Sequence, residues 1–161
     1  MPRRPPVTAR AGPTEAAPPT RRALLPVVIA AALLTGCGRQ VAVPPPDLPH
    51  DACTNVTVPS TVAGAGQRPT SEPGTAAWGE PPITYRCGVA RPAALTPTAR
   101  LLDVNGIGWL PIDGQGGTGF IAVTWPLDTS PAYVEVLVPQ EYAAPADVLI
   151  DISAALASAG G

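Results

Sequence analysis

A short apolar run near the amino terminus divides this chain into a leader and a body. The run spans residues 23–34, twelve residues in all, and Arg21 and Arg22 precede it with no acidic residue between. A membrane-spanning helix needs about 20 apolar residues, so this run is too short to be an anchor. A positively charged lead, a short apolar core and small residues, in that order, are typical of a secretory signal. We therefore expect residues 1–36 to be removed as a signal peptide.

The signal ends in Leu34-Thr35-Gly36-Cys37, which resembles the lipobox of bacterial lipoproteins. The resemblance implies cleavage before Cys37 and a lipid thioether on its sulfur, with palmitate as an added acyl group. One acyl chain binds a membrane reversibly, so stable attachment needs more than one. We expect a secreted lipoprotein held by this lipid at the outer, extracytoplasmic face of the cell membrane. Two alternatives stay open: an alanine-rich tail that ends in cysteine by chance, and an uncleaved anchor, which the short run disfavours.

The export route is also open between two pathways. Residues 20–25 resemble a twin-arginine signal, the route that carries folded proteins. In the alternative, the two arginines only supply the positive charge of an ordinary secretory signal. The body contains no cofactor motif that would require folding before export, which favours the ordinary route.

The charge of the body differs from that of the whole chain. Five arginines and eleven acidic residues remain after residue 36, a formal net charge of −6, whereas the whole chain has −2. Nucleic-acid binding proteins concentrate basic residues, so this composition argues against nucleic acid as a partner. The body also lacks a polybasic patch for anionic lipids. Membrane attachment is therefore expected through the lipid on Cys37.

The first part of the body is rich in proline. Within residues 37–50, Pro44-Pro45-Pro46 and Pro49 favour extended polyproline II geometry. We expect this segment, after the lipidated Cys37, to be a semi-rigid tether of about 3 Å per residue. Residues 51–161 are then one small domain with one core.

Cysteine usage fits an exported protein. With Cys37 committed to lipid, Cys53 and Cys87 form an even pair in an oxidising compartment. A structural disulfide between them would stabilise the fold by roughly 3–4 kcal/mol in the chain-entropy model. The alternatives are a redox-active pair, which usually has Cys-x-x-Cys spacing, and a zinc site, for which His50 alone supplies too few further ligands.

The second half of the body predicts antiparallel strands. Residues 101–110 form a hairpin pattern around Asn105-Gly106, whose residues tolerate the positive φ angles of a type I′ turn. In this register one face, expected to be the core face, carries Leu102, Val104, Ile107 and Trp109. The glycine-rich residues 114–117 predict the next turn, which leads into a strand at 120–125.

The pattern then continues with a strand and a helix. Residues 132–138 alternate, with Val134, Val136 and Val138 on one side. Residues 145–159 predict a helix that begins at a proline suited to a first turn and carries an apolar stripe of Val148, Leu149, Ile152 and Leu156. The expected fold class is α+β: a small antiparallel sheet, the C-terminal helix packed on one face, and one disulfide.

Five segments of the body form a larger pattern: residues 67–71 (QRPTS), 76–83 (AAWGEPPI), 86–89 (RCGV), 105–109 (NGIGW) and 133–136 (YVEV). Together they resemble the signature of a family of exported proteins from high-GC Gram-positive bacteria, catalogued as domain of unknown function 3515. The resemblance covers nearly the whole body. It implies export and a single fold unit, and it brings no assigned activity.

One stretch departs from the family pattern. Residues 54–58 (TNVTV) are mostly β-branched, where the family would have a helical stretch rich in leucine and alanine. Because β-branched residues lose side-chain freedom in a helix, a helix is disfavoured there.

Catalytic residues are not predicted. The chain has one histidine, His50, and a Ser-His-Asp triad would have to combine it with Ser60, Ser71 or Ser130. The sequence has no Gly-x-Ser-x-Gly elbow. The loop at 114–117 lacks the lysine of a phosphate-binding loop and the alternating aspartates of a calcium loop. We expect no enzyme activity, no metal and no cofactor.

A binding surface is the remaining functional hypothesis. Trp78, Pro81 and Pro82 place an aromatic ring beside rigid prolines, and Arg68 and Arg86 flank the same region. An exposed tryptophan on a rigid segment can anchor a partner, and arginines can bind a carboxylate or phosphate. The sequence favours the alternative, in which Trp78 packs on the disulfide as part of the core. The arginines would then pair within the fold, with Glu72 and Glu80.

Three functions follow in order. The first is a non-catalytic interaction or scaffolding domain that presents itself to another cell-envelope protein. The second is a small-ligand or glycan binder, with a ligand that the sequence does not identify. The third is an unrecognised enzyme. A deep apolar pocket would favour the second and an exposed aromatic patch the first.

Overall fold

The computed structural model describes Gly12 and residues 39–114, 116–126 and 130–160. The last three ranges belong to one compact unit, Gly36–Gly161. The predicted signal peptide and the predicted lipidation site at Cys37 lie outside the described residues. No described helix is long and apolar enough to cross a membrane.

Eight strands form one sheet within the described residues, and every neighbouring pair is antiparallel. The strand order is β1-β2-β3-β4-β8-β7-β6-β5, so two meanders are joined where β4 pairs with β8. The fold-class prediction is confirmed. The elements are α1 (Asp51–Thr54), β1 (Thr61–Val62), β2 (Ala65–Arg68), β3 (Thr75–Trp78), β4 (Ile83–Val89), β5 (Leu102–Val104), β6 (Ile107–Gly114), β7 (Gly117–Ala122), β8 (Tyr133–Pro139) and α2 (Pro145–Ala159).

The sheet curves around α2. Strands lie about 4.8 Å apart, so eight strands laid flat would span about 33 Å. Yet Cα atoms of α2 lie within 8 Å of Cα atoms in both edge strands, β1 and β5. The helix therefore fills the concave side, which we call the helix face, and it covers both ends of the strand order.

The main hydrophobic core lies between α2 and the helix face. The predicted helix stripe is confirmed, because Val148, Leu149, Ile152 and Leu156 are all buried. The predicted alternation in β8 is also confirmed, since its three even-numbered valines face this core. The largest fully buried side chains of the core are those of Trp78 and Trp109.

The predicted hairpin is present with the predicted register. Asn105 has φ 52° and Gly106 has φ 80°, both in the left-handed region that a type I′ turn requires. Val104 pairs with Ile107 and Leu102 with Trp109. One part of the prediction is wrong: Leu102 is 47% exposed, because β5 lies at the edge of the sheet.

The proline-rich segment is not a free tether. Residues 39–49, which we call the strap, lie on the sheet face opposite α2. Val41 forms a parallel bridge with Thr70, and it packs with Val43 against Ala77. The strap is thus part of the domain, and the predicted boundary at residue 51 is wrong. Prolines favoured an extended segment, but the buried valines before them decide that it packs on the sheet.

The predicted disulfide is present. Cys53 and Cys87 are bonded, with their Cα atoms 5.7 Å apart, and the bridge links α1 to the end of β4. The helix that carries Cys53 is only four residues long and ends at Thr54, the first of the mostly β-branched residues 54–58 that disfavour a helix. The disulfide therefore fixes a short turn to the sheet rather than a long helix.

Candidate functional site

The predicted tryptophan anchor is buried. Trp78 has no exposed surface, its indole N–H donates to the carbonyl oxygen of Pro59 at 2.8 Å, and its ring meets Tyr85 edge to face. The hypothesis of an exposed anchor is therefore wrong, and the core position that the sequence favoured is what the fold shows. The reason lies in the strand register: Trp78 pairs with Ile83, and both point to the helix face.

The prolines that follow the tryptophan are half-buried. They lie in the turn between β3 and β4, at residues 79–82. The hydroxyl of Tyr142 donates to the carbonyl oxygen of Pro81 at 3.1 Å, which ties this turn to the segment before α2. Pro81 and Pro82 thus close one end of the sheet, which we call the turn end.

The two predicted arginines are neutralised within the fold. Arg68 forms an ion pair with Glu80, as the alternative reading proposed, and donates to the carbonyl oxygen of Gly79 at 3.0 Å. Arg86 pairs with Glu135, with 2.9 Å between Nε and Oε2, and more distantly with Asp47. The predicted pairing with Glu72 is not found. Both guanidinium groups already donate to oxygens within the fold, so neither is arranged for an anionic ligand.

The predicted residues therefore do not converge. Arg68 pairs in the sheet with Ala77, so both point away from the helix face, whereas Trp78 points into it. Sequence proximity suggested one surface. The period of two in a strand separates neighbouring side chains onto opposite faces.

The described surface instead concentrates its clefts at the opposite end of the sheet, which we call the His50 end. Two clefts meet there and share Pro49 and His50 in their walls. One has a volume of about 590 Å³ and a polar rim that includes Asp51, Asn55 and Ser130. The other has about 360 Å³ and is mostly apolar.

His50 separates these two clefts and is held by its neighbours. Its Nδ1 accepts the backbone N–H of Ala52 at 3.1 Å and so caps α1, and its Nε2 lies 3.4 Å from the hydroxyl oxygen of Ser130. Because Nδ1 accepts, the proton of the neutral ring lies on Nε2, which then donates toward Ser130. A general base for a serine would need the opposite tautomer. This geometry suits a structural latch between α1 and the segment before β8, not a nucleophile–base pair.

The smaller cleft is built from prolines and the disulfide. Pro45, Pro46 and Pro49 of the strap form one side, and Cys53 and Cys87 lie in the wall. Further lining residues are Thr54, Glu72, Pro73 and Gly74. Glu72 supplies the one carboxylate among the described lining residues, and the imidazole of His50 is their one aromatic ring. The cleft can therefore accept a compact apolar group beside a negative charge.

Two glycines allow the strap to form this cleft. A Cβ on Gly88 would lie 2.4 Å from the carbonyl oxygen of Leu48, and Gly88 has φ +90°. A Cβ on Gly74, at φ +73°, would lie 3.1 Å from Cγ of Pro46. The sequence analysis missed this site. The signal that could have indicated it is the pair of glycines next to strand-like residues, which often mark close backbone approach.

Chemically reactive groups are sparse in the described part of the chain. It holds no cluster of three His, Cys, Asp or Glu side chains that could bind a metal ion. The hydroxyl of Tyr85 is buried without a hydrogen-bond partner among the described residues. Burial raises the pKa of this hydroxyl above its ordinary value of 10.0, because the charged form would be desolvated.

Comparison with known proteins gives one match. A family model described as "Protein of unknown function (DUF3515)" matches residues 23–159. No curated protein and no solved structure matches the chain significantly.

Proposed function

The chain belongs to the DUF3515 family, and we propose that it is a cell-envelope lipoprotein whose single domain acts by binding rather than by catalysis. In this proposal Cys37 is acylated, and the domain is held at the outer face of the cytoplasmic membrane. There it serves as an interaction or scaffolding module for another envelope protein.

The observation that carries the proposal is how the three cysteines are used. Cys53 and Cys87 are bonded to each other, which fits an oxidising compartment. Cys37 then remains as the third cysteine, directly after the apolar run and small residues of a signal. The matched family region begins at residue 23, the start of that apolar run.

The geometry around His50 supports a non-catalytic role. The ring nitrogen that would orient a catalytic histidine, Nδ1, is used to cap α1. A His50→Asn variant keeps a capping side chain and removes the imidazole. We expect it to complement a deletion strain as well as the wild type does. Failure to complement, with folding intact by circular dichroism, would contradict the non-enzymatic proposal.

The anchoring is tested by replacing the acylated residue. A Cys37→Ala variant should no longer partition into the detergent phase when cells are extracted with a phase-separating detergent, because its acyl chains are lost. Ser60→Ala, an exposed position in the folded domain, is the matched control and should partition like the wild type. Unchanged partitioning of the Cys37 variant would show that something other than a lipid on this residue anchors the protein.

A second candidate function is small-ligand binding in the proline-lined cleft. Its apolar walls and the carboxylate of Glu72 favour a compact organic amine. A glycan is disfavoured, since no Trp, Tyr or Phe ring lines the described cleft for a sugar to stack on. Benzylamine should shift the amide resonances of Gly74 and Thr54, and the uncharged benzyl alcohol should do so less.

The role of the carboxylate in this cleft has its own control. Glu72→Gln should remove the preference for the amine, whereas Glu141→Gln, an exposed carboxylate outside the cleft, should not. If neither probe shifts these resonances at millimolar concentration, this second candidate is wrong.

A further inference from the structure

The beginning of the strap is fixed at the turn end of the sheet. The guanidinium of Arg68, which also binds Gly79 in the turn, donates to the carbonyl oxygen of Arg39 at 3.3 Å. Two residues later the N–H of Val41 donates to the carbonyl oxygen of Pro69 at 2.9 Å. Val41 is 8% exposed. The chain is therefore fixed to the domain by hydrogen bonds within four residues of Cys37.

The strap then runs away from this end. Pro46 lies against Gly74, and the N–H of Leu48 donates to the carbonyl oxygen of Gly88 at 2.8 Å. Gly74 and Gly79 flank β3 on either side, five residues apart, which corresponds to about 17 Å of strand. The strap thus enters at the turn end and reaches the His50 end, where both clefts lie.

We propose that the domain sits directly on the membrane with its turn end toward the lipid and its His50 end directed outward. This inference rests on the proposed acylation of Cys37. Four residues of fully extended chain reach about 14 Å, so Val41 must lie within that distance of the lipid-bearing residue. The free tether predicted for residues 37–50 would have reached about three times as far.

The short connection between Cys37 and the strap, which we call the leash, restricts the orientation of the domain because the domain is wider than the leash is long. A domain of this size has a radius of gyration of about 14 Å, and the attachment point is at one end of it. The domain cannot enter the bilayer. The end nearest the attachment point therefore faces the membrane, and the opposite end faces the aqueous phase.

Charge does not drive this seating. The turn end carries exposed Glu80 and Glu141. Of the two described arginines near them, Arg68 is already paired, and Arg39 adds a single exposed positive charge. Close approach therefore comes from the leash and not from attraction to anionic headgroups. The same orientation is expected on neutral and on anionic bilayers at physiological salt.

The orientation also narrows what can occupy the clefts. Both open at the end that points away from the bilayer, so their occupant arrives from the aqueous, wall-facing side. Bilayer lipid is excluded as the ligand of either cleft.

The test uses the acylated protein in phosphatidylcholine vesicles that contain a quencher attached to lipid headgroups. Because Cys37 is acylated and the other cysteines are bonded, one introduced cysteine is the single site for a fluorophore. Gln67→Cys marks the turn end and Pro73→Cys marks the His50 end, and both positions are exposed. We expect quenching at position 67 to be several-fold stronger than at position 73, with or without one quarter phosphatidylglycerol.

A length variant separates the leash from other causes. Insertion of fourteen glycine and serine residues after Gly38 should lower quenching at position 67 and remove most of the difference between the two positions. Equal or reversed quenching without the insertion, in protein that cosediments with the vesicles, would overturn the orientation alone. Failure to cosediment would overturn the proposed acylation, and the orientation with it.

Discussion

The two faces of the sheet are covered by different kinds of chain and held by different forces. On the helix face, α2 presents a regular apolar stripe, and tryptophan N–H groups bond Ser153 and the carbonyl oxygen of Leu156. On the opposite face, the strap has two buried valines. The rest of its hold is backbone hydrogen bonds, bonds from the guanidinium groups of Arg68 and Arg86 to strap carbonyls, and the ion pair of Arg86 with Asp47.

Because of this difference, one face mainly determines the stability of the domain, and the other mainly determines where the chain enters it. Burial of apolar surface is the largest favourable contribution to folding, so the helix face dominates the free energy of unfolding. Half-exposed ion pairs contribute little, typically below about 1 kcal/mol. The strap therefore adds modest stability, and its main effect is to fix where the chain enters the domain and to form the walls of the clefts.

The largest expected effect comes from opening the helix face. Trp78→Ala should lower the free energy of unfolding by about 3–5 kcal/mol, because it leaves a cavity in the core and an unbonded carbonyl at Pro59. Urea denaturation would measure the loss. Leu102→Ala, at a site 47% exposed, is the control and should cost well under half as much. Similar losses for both variants would contradict the dominance of the helix face.

The next largest effect comes from the disulfide, which joins α1, directly after the strap, to the sheet. Replacing Cys53 and Cys87 together by serine should cost about 3–4 kcal/mol, since the unfolded chain gains the entropy of an open loop. Denaturation of the wild type with and without reductant provides an independent measure. A change below about 1 kcal/mol in both experiments would show that the bridge constrains the unfolded chain little.

A smaller effect should follow from displacing the strap. In Gly88→Ala the new Cβ meets the Leu48 carbonyl, and an alanine at this positive φ is strained, so we expect a loss of about 1–3 kcal/mol. Amide exchange of Leu48 and Ala90 should accelerate, while that of Val134 should not. Gly66→Ala is the control, because nothing lies within 4 Å of the Cβ that the alanine would add. Unchanged exchange at Leu48 would mean that the strap does not need this close approach.

The smallest expected effect is a gain in stability from a substitution on the helix face. Tyr85→Phe removes a buried hydroxyl that has no hydrogen-bond partner among the described residues, and it should raise the free energy of unfolding by about 1 kcal/mol. The wild type should also lose stability as pH rises above about 10, because the unfolded chain releases this proton before the folded one does. The variant should lose less over the same range. Equal alkaline losses, measured by denaturation at pH 9 and pH 11, would assign the effect to other groups.

The part of the fold that the sequence predicted is the part with local pairing. The β5–β6 hairpin and α2 are specified by Asn105-Gly106 and by a helical apolar stripe, both within a few residues. The strands β1 to β4 carry no such local signal. The sequence of β2, for example, is Ala-Gly-Gln-Arg, which has no strand-like residues, so its pairing depends on the rest of the fold. The pairing of β4 with β8 joins residues far apart in sequence, which no local pattern encodes.

The candidate site was harder to predict for a related reason. The disulfide followed from counting cysteines, but the cleft beside it needs the strap to lie on the sheet. That depends on Val41 and Val43 finding Ala77, a contact between three small side chains over more than 30 positions of chain. For Trp78 the sequence favoured the core without excluding an exposed anchor, because the residues around a tryptophan beside prolines are the same whether its ring faces solvent or the core.

The position of α2 after the eight described strands bears on the export that we propose. Two of the three tryptophans have their N–H acceptors on this helix, and the helix also covers both edge strands. In a chain that passes outward amino terminus first, the helix face cannot close until α2 has followed the strands. The ordinary secretory route would therefore carry the strands before their main core is complete, whereas the twin-arginine route would carry the domain with α2 already packed.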